Sequence, residues 1–82
     1  MADRKRVEAV RIIYEDAEKE EAKGDYFLKQ GESFTPEGKE HCRIAANSHY
    51  KLALDLYKSI GAKKGAARVA GKIGLVLRKK TA

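Results

Sequence analysis

Apolar residues recur at steps of three and four along most of this 82-residue chain, which is the spacing of one face of an α-helix. The spacing is interrupted by glycine and by a Thr-Pro pair, which divide the chain into three segments and leave no strand pattern. Valine, isoleucine, leucine and phenylalanine number only 17, so the core that these segments can build is small. The sequence therefore predicts an all-α fold, a three-helix bundle of antiparallel helices that occupies residues 1–82 as a single domain.

The first helix is predicted over about residues 4–23, where Val7 and Val10 share one face with later apolar residues. Gly24 either ends this helix or distorts it, because glycine is a poor helix former. The apolar spacing nevertheless continues to Gly31. The sequence leaves both ends open, one near Gly24 and one near Gly31.

The second helix has a clearer start. Thr35 is a suitable N-cap, and Pro36 suits the first helical position, so we predict a helix over about residues 36–60. Gly61 is a good residue for the position just after the helix. The third helix is predicted over about residues 63–79. Its inward positions are predicted to be Ala66, Val69, Ala70, Ile73, Val76 and Leu77.

Two glycines lie inside the predicted third helix, at Gly71 and Gly74. Each costs a helix up to about 1 kcal/mol relative to alanine. Such a cost has a packing reason where another helix approaches closely. We therefore expect another helix to approach closely at these glycines, so that a larger side chain at Gly74 would overpack the contact.

Charge is distributed unevenly along the chain. Residues 1–40 carry 8 basic and 11 acidic side chains, whereas residues 41–82 carry 10 basic side chains and one acidic one. The basic second half predicts a positive surface on the third helix, suited to carboxylates or phosphates.

Residues 46–77, ANSHYKLALDLYKSIGAKKGAARVAGKIGLVL, resemble the junction between two tetratricopeptide (TPR) repeats. The family's second helix has a small residue, an aromatic residue four positions later, and Ala-Leu after that. Here these residues are Ala46, Tyr50, Ala53 and Leu54. The MIT domain, another three-helix bundle of this size, is a second family to which the chain is similar.

The TPR resemblance implies antiparallel helices that bind other proteins, and it places Arg68 and Lys72 on the concave groove. Some members of that family use basic residues there to hold the C-terminal carboxylate of a partner. In the first helix of the family's next repeat, Ile73 and Gly74 match the usual Leu-Gly. The chain lacks the closing proline and holds about one and a half repeats. Because stacked repeats need about three units, either the bundle closes on itself or it stacks on another copy, and we expect a dimer.

Residue patterns for chemistry are weak. His41, Cys42 and His49 do not form a metal site, since residues 42 and 49 lie about 10 Å apart on a helix and no second cluster follows. The Gly71–Gly74 segment matches the short GxxG pattern of nucleic-acid-binding KH loops, but it lies inside a helix. The acidic residues of the first helix spread around it as a solvated face does. We therefore expect no enzyme activity, no metal and no cofactor.

A single cysteine excludes an internal disulfide framework and fits a reducing compartment, so we expect a cytoplasmic protein. Apolar runs of at most three residues exclude a membrane span. The scarcity of Asn, Gln and Met beside many Lys and Glu is typical of thermophile proteins.

These observations predict a non-enzymatic TPR-like module for protein–protein interaction, acting as an adaptor or as a homo-oligomer, with no small-molecule substrate. The alternative is a small basic protein that binds nucleic acid through phosphate contacts from the third helix. The third helix has no aromatic residue on which bases could stack, so such binding would depend on charge. The candidate binding residues are Lys64, Arg68, Lys72, Leu75 and Lys79.

Overall fold

A computed structural model describes residues 2–31 and 35–81 of the chain, and side chains over residues 6–31 and 35–77. The described residues form three helices and no strand, which confirms the predicted all-α three-helix bundle. The predicted helix ends agree with the structure to within two residues, and the first helix takes the longer of its two predicted forms. The helices are α1 (Ala2–Gly31), α2 (Pro36–Ser59) and α3 (Lys63–Thr81).

Local signals set both ends of α2. The Thr35 hydroxyl accepts a hydrogen bond from the Gly38 backbone N–H at 3.3 Å, as an N-cap does. After α2, Gly61 adopts a φ of +70°, which glycine tolerates without strain. The Ala62 N–H then donates to the Tyr57 carbonyl at 2.9 Å, which satisfies one of the last carbonyls of the helix. The chain can therefore turn into α3 within three residues.

α1 passes through Gly24 without ending because α2 packs there. A Cβ atom at Gly24 would lie 2.5 Å from Cε1 of the Tyr50 ring, so only glycine leaves room for this ring. Gly31 lies in the same way beside Cys42 of α2, and its Cβ would be 3.0 Å from the cysteine Cβ. Tertiary packing thus outweighs the low helix propensity of glycine.

The core is a narrow row that follows α2, in a molecule whose Cα atoms extend over 53 × 17 × 12 Å. α2 packs against both α1 and α3. Tyr50 and Tyr57 are the largest of the fully buried side chains, and both lie on this helix. The buried apolar residues are Ala17, Ala46, Tyr50, Ala53, Tyr57, Val69 and Val76.

The predicted packing of α3 is wrong at several positions. A Cβ atom at Gly74 or at Gly71 would meet no atom within 4 Å, so neither glycine marks a close helix contact. The close contact lies at Gly65 instead, where a Cβ would be 2.6 Å from Cδ1 of Tyr57. Helix geometry explains why Gly74 makes no close contact. Val69 and Val76 face inward, and Gly74 lies on a different face of α3.

Two further inward positions of α3 are also wrong. Ala70 is exposed, and 53% of Leu77 is accessible to solvent. The inward face of α3 is narrower than predicted because α2 covers only one side of it. In the part of the chain that the structure describes, no helix is both long and apolar enough to cross a lipid bilayer.

α1 extends past the end of α2. The Tyr14 ring meets the Tyr57 ring edge-on at 5.5 Å between centroids, and α2 ends two residues after Tyr57. The apolar face predicted for the first helix continues beyond this contact, where Val10 is 41% and Val7 is 66% exposed. The start of α1 therefore presents an apolar face that neither α2 nor α3 covers.

Candidate functional site

Arg68 and Lys72 of α3 face α1 and lie one helical turn apart. Their side chains reach Glu21 and Asp25, which are also one turn apart on α1. The two predicted binding residues are therefore part of an ion-pair cluster that connects the first helix to the third.

Glu21 is the buried centre of this cluster, with only 6% of the residue exposed. Its carboxylate accepts hydrogen bonds from Nε and Nη2 of Arg68 at 2.7 and 2.8 Å, a two-point contact. Lys72 Nζ donates to the same carboxylate at 2.8 Å, and the Tyr57 hydroxyl donates at 2.9 Å. Burial of the charge is thus compensated by four donors.

Asp25 occupies the more exposed end of the cluster. It accepts a hydrogen bond from the Tyr50 hydroxyl at 2.5 Å, and Lys72 Nζ lies 3.0 Å from each of its oxygens. Both cations also lie over aromatic rings. The Arg68 guanidinium carbon is 5.7 Å from the centre of the Tyr57 ring, and Lys72 Nζ is 5.9 Å from that of Tyr50.

The α1–α2 pair thus forms an acidic, aromatic groove into which α3 inserts its two cations. We call this groove the carboxylate–tyrosine cleft. Arg68 contacts the Glu21 carboxylate and the Tyr57 ring. Lys72 contacts both carboxylates and the Tyr50 ring. The cleft consists of Glu21, Asp25, Tyr50 and Tyr57.

The cleft changes the acid–base properties of its members. Hydrogen bonds from Arg68, with further ones from Lys72 and Tyr57, lower the pKa of Glu21 from 4.5 to about 2 although burial opposes the change. The same contact with Glu21 raises the pKa of Arg68. For Lys72, burial favours the neutral form, but hydrogen bonds to the two carboxylates outweigh it and raise the pKa. The three ionised groups therefore stabilise one another.

The two tyrosines of the cleft stay protonated to high pH. Burial, with the nearby Glu21 carboxylate, raises the pKa of Tyr57 from 10.0 to about 12. Burial and the hydrogen bond to Asp25 raise the pKa of Tyr50 as well. Both hydroxyls consequently act as hydrogen-bond donors to the carboxylates at neutral pH.

The other predicted binding residues lie elsewhere on α3. Lys64 is exposed at the start of the helix, and 52% of Leu75 is accessible to solvent. Lys79 lies within α3, but its side chain is outside the described residues. The five residues therefore do not form one surface, because Lys72 turns toward α1 and Leu75 turns to solvent.

His49 and Cys42, which we considered as metal ligands, have separate surroundings. Nδ1 of His49 is 2.6 Å from a carboxylate oxygen of Glu20, and its ring stacks on Phe27 at 5.5 Å between centroids. The hydrogen bond with His49 lowers the pKa of Glu20. Within residues 2–31 and 35–81, no group of three or more His, Cys, Asp and Glu is placed to hold a metal ion.

Sequence reasoning missed the acidic half of the cleft. We interpreted the acidic residues of the first helix as a solvated face, which is wrong for Glu21. A signal was present in the spacing. Glu21 and Asp25 are four residues apart, as are Arg68 and Lys72, so the two pairs match when the helices lie side by side.

Comparison with protein-family models, curated proteins and solved structures finds no match to the chain.

Proposed function

We propose that this chain is a non-enzymatic, TPR-like helical module that binds proteins, including copies of itself, in the cytoplasm. The observation that carries the proposal is the number of large apolar side chains left in solvent by so small a bundle. Grouped apolar surface is typical of interaction sites, and Val7, Val10 and Tyr14 share one face at the start of α1. Residues that are 40–66% exposed include Val7, Val10, Ile12, Tyr14, Tyr26, Ile44, Leu52, Leu75 and Leu77.

The ion pairs of the cleft weigh against the nucleic-acid alternative. Arg68 and Lys72 were the central phosphate ligands of that hypothesis. Their charges are already neutralised by Glu21 and Asp25, so a phosphate would have to displace a carboxylate that is better placed. On the described part of α3, Lys63 and Lys64 remain exposed cations without an acidic residue in the same helix.

A salt titration of duplex DNA binding separates the two functions. Each phosphate contact contributes about 0.9 to the slope of log K against log salt concentration. We expect no DNA binding that depends on the charge of Lys64. Binding of that kind would be abolished by Lys64→Glu and left intact by Leu75→Ala, the matched apolar control. A steep slope lost in Lys64→Glu alone would replace the protein-binding proposal with the nucleic-acid one.

Sedimentation equilibrium tests the protein-binding proposal directly through its self-association. We expect an average mass above the 9.1 kDa of one chain at micromolar to millimolar concentrations. A constant mass of one chain, together with the DNA result just described, would refute the proposal.

A further inference from the structure

The cleft holds α3 by contacts that do not depend on the connection between α2 and α3. Ion pairs and hydrogen bonds join Arg68 to Glu21 and Lys72 to Asp25, each 47 positions apart in sequence. Cation–π contacts join the same two cations to the tyrosine rings of α2. An identical α3 from another chain offers the same Arg68 and Lys72. The cleft therefore fits α3 of a second copy as well as its own.

The connection is short and bends at one residue. Only Ile60, Gly61 and Ala62 separate α2 from α3. Among the described residues, Gly61 is the residue with a positive φ, and its value is +70°. If Gly61 took a helical φ, α2 and α3 would join into one continuous helix, and α3 would leave its own cleft. Short hinges of this kind favour exchange of the element that follows them.

We propose that the chain self-associates by exchanging α3, so that Arg68 and Lys72 of each copy occupy the carboxylate–tyrosine cleft of the other. This inference rests on the self-association in the proposed function and names its interface. The charge complementarity of the cleft and α3 selects a second copy as the occupant. Exchange re-forms the contact of Gly65 with the Tyr57 ring, because that contact also lies on α3.

Complementary charge reversals test the exchange. A chain with Glu21→Arg places a third cation beside Arg68 and Lys72 in its own cleft, and a chain with Arg68→Glu places a new carboxylate against Glu21. When the two variants are mixed and refolded together, an exchanged pair combines Arg at position 21 with Glu at position 68, and its other cleft is native. We expect a heterodimer of twice the 9.1 kDa chain mass and a gain in helical circular dichroism over either variant alone.

A second pair of variants keeps the test decisive if the first pair folds poorly. Asp25→Lys and Lys72→Glu act at the exposed end of the cleft, where the Asp25 side chain is 50% accessible. As a control, Arg11→Glu and Glu15→Arg reverse an exposed pair 3.5 Å apart within α1, which exchange of α3 cannot restore. The control chains keep a native cleft, so each should associate alone as wild type does, and mixing them should add nothing. Association that requires mixing for the cleft pairs, but not for the control, supports the exchange.

The hinge gives an independent measurement. Gly61→Ala strains the turn because alanine rarely adopts a positive φ, so it favours the straightened, exchanged form. Gly71→Ala is the matched control, since its Cβ meets open space within a helix. We expect Gly61→Ala to lower the dimer dissociation constant by about tenfold or more and Gly71→Ala to leave it unchanged.

Two outcomes overturn the exchange. One is a mixture of cleft variants in which every chain stays at 9.1 kDa, and the other is a Gly61→Ala chain that associates no better than the control. If wild type still associates under those conditions, the protein-binding proposal stands and another surface joins the copies. If wild type does not associate either, the exchange fails together with the self-association in the proposed function, and the DNA titration then decides the rest of that proposal.

Discussion

Replacing Glu21 with glutamine preserves the shape of the side chain and removes the charge that Arg68 and Lys72 neutralise. The folded pKa of Glu21 lies about 2.5 pH units below its ordinary value of 4.5. At about 1.36 kcal/mol per unit, this corresponds to about 3 kcal/mol of stability at neutral pH. The free energy of unfolding of a domain of this size is small, so this loss should make the variant unfold much more easily than wild type.

The pH dependence of this loss identifies its cause. Because the folded pKa of Glu21 is depressed, its contribution is complete above about pH 4.5 and is lost as the pH falls toward 2. We expect Glu21→Gln to lower the free energy of unfolding by about 3 kcal/mol at pH 7 and by about half as much at pH 3. Urea denaturation followed by circular dichroism at both pH values measures the difference between variant and wild type.

Glu15→Gln is the matched control, because Glu15 is 54% accessible and pairs with Arg11 on the same helix. Exposed pairs of this kind are worth about 0.5 kcal/mol or less, so the control should stay close to wild type at both pH values. If Glu21→Gln also stays within about 0.5 kcal/mol of wild type at pH 7, or if its loss is the same at pH 3, Glu21 is not the buried centre of the cleft.

Two further predictions concern packing and the tyrosines. Gly65→Ala should lower the free energy of unfolding by about 1–3 kcal/mol through overpacking against Tyr57, whereas Gly74→Ala should raise it by up to about 1 kcal/mol because its Cβ meets no atom; thermal denaturation that ranks the two variants the other way would contradict this packing. Tyr57 should ionise near pH 12 in an ultraviolet titration, and since its folded pKa is raised above 10.0, the stability it contributes is complete below pH 10 and lost as the pH rises toward 12. In Tyr57→Phe the absorbance change near pH 12 should shrink by the contribution of one tyrosine, while Tyr50, whose pKa is also raised, still ionises late; an unchanged titration would mean that another tyrosine causes this step.

The helices could be predicted from the sequence because local signals mark their ends. The Thr35 cap, Pro36 and the turn at Gly61 act within a few residues, and the structure has each of them in the predicted role. The end of α1 could not be predicted, because it depends on Tyr50, which lies 26 positions beyond Gly24. Propensity alone disfavours a helix through Gly24, and only the packed α2 reverses that preference.

Only the basic residues of the cleft stood out in the sequence, because almost no acidic residue accompanies them on the third helix. Arg68 and Lys72 were predicted to bind a partner, whereas in the structure they pair with Glu21 and Asp25 of the same chain. Glu21 did not stand out among the many acidic residues of α1. Its burial depends on how α1 is rotated against Tyr57 and α3, and the apolar residues of α1 are too few to fix that rotation from sequence.

The two buried tyrosines of α2 also constrain how this chain can change over generations. Tyr50 lies against Gly24 of α1, and Tyr57 lies against Gly65 of α3. In both places a methyl group on the glycine would clash with the ring. A larger residue at either glycine becomes acceptable only after the facing tyrosine has been replaced by a smaller residue. Replacing the tyrosine first leaves a cavity in the core and removes a hydroxyl from the cleft. Each glycine–tyrosine pair therefore has to change as a unit, and single substitutions at either partner lead through a less stable intermediate.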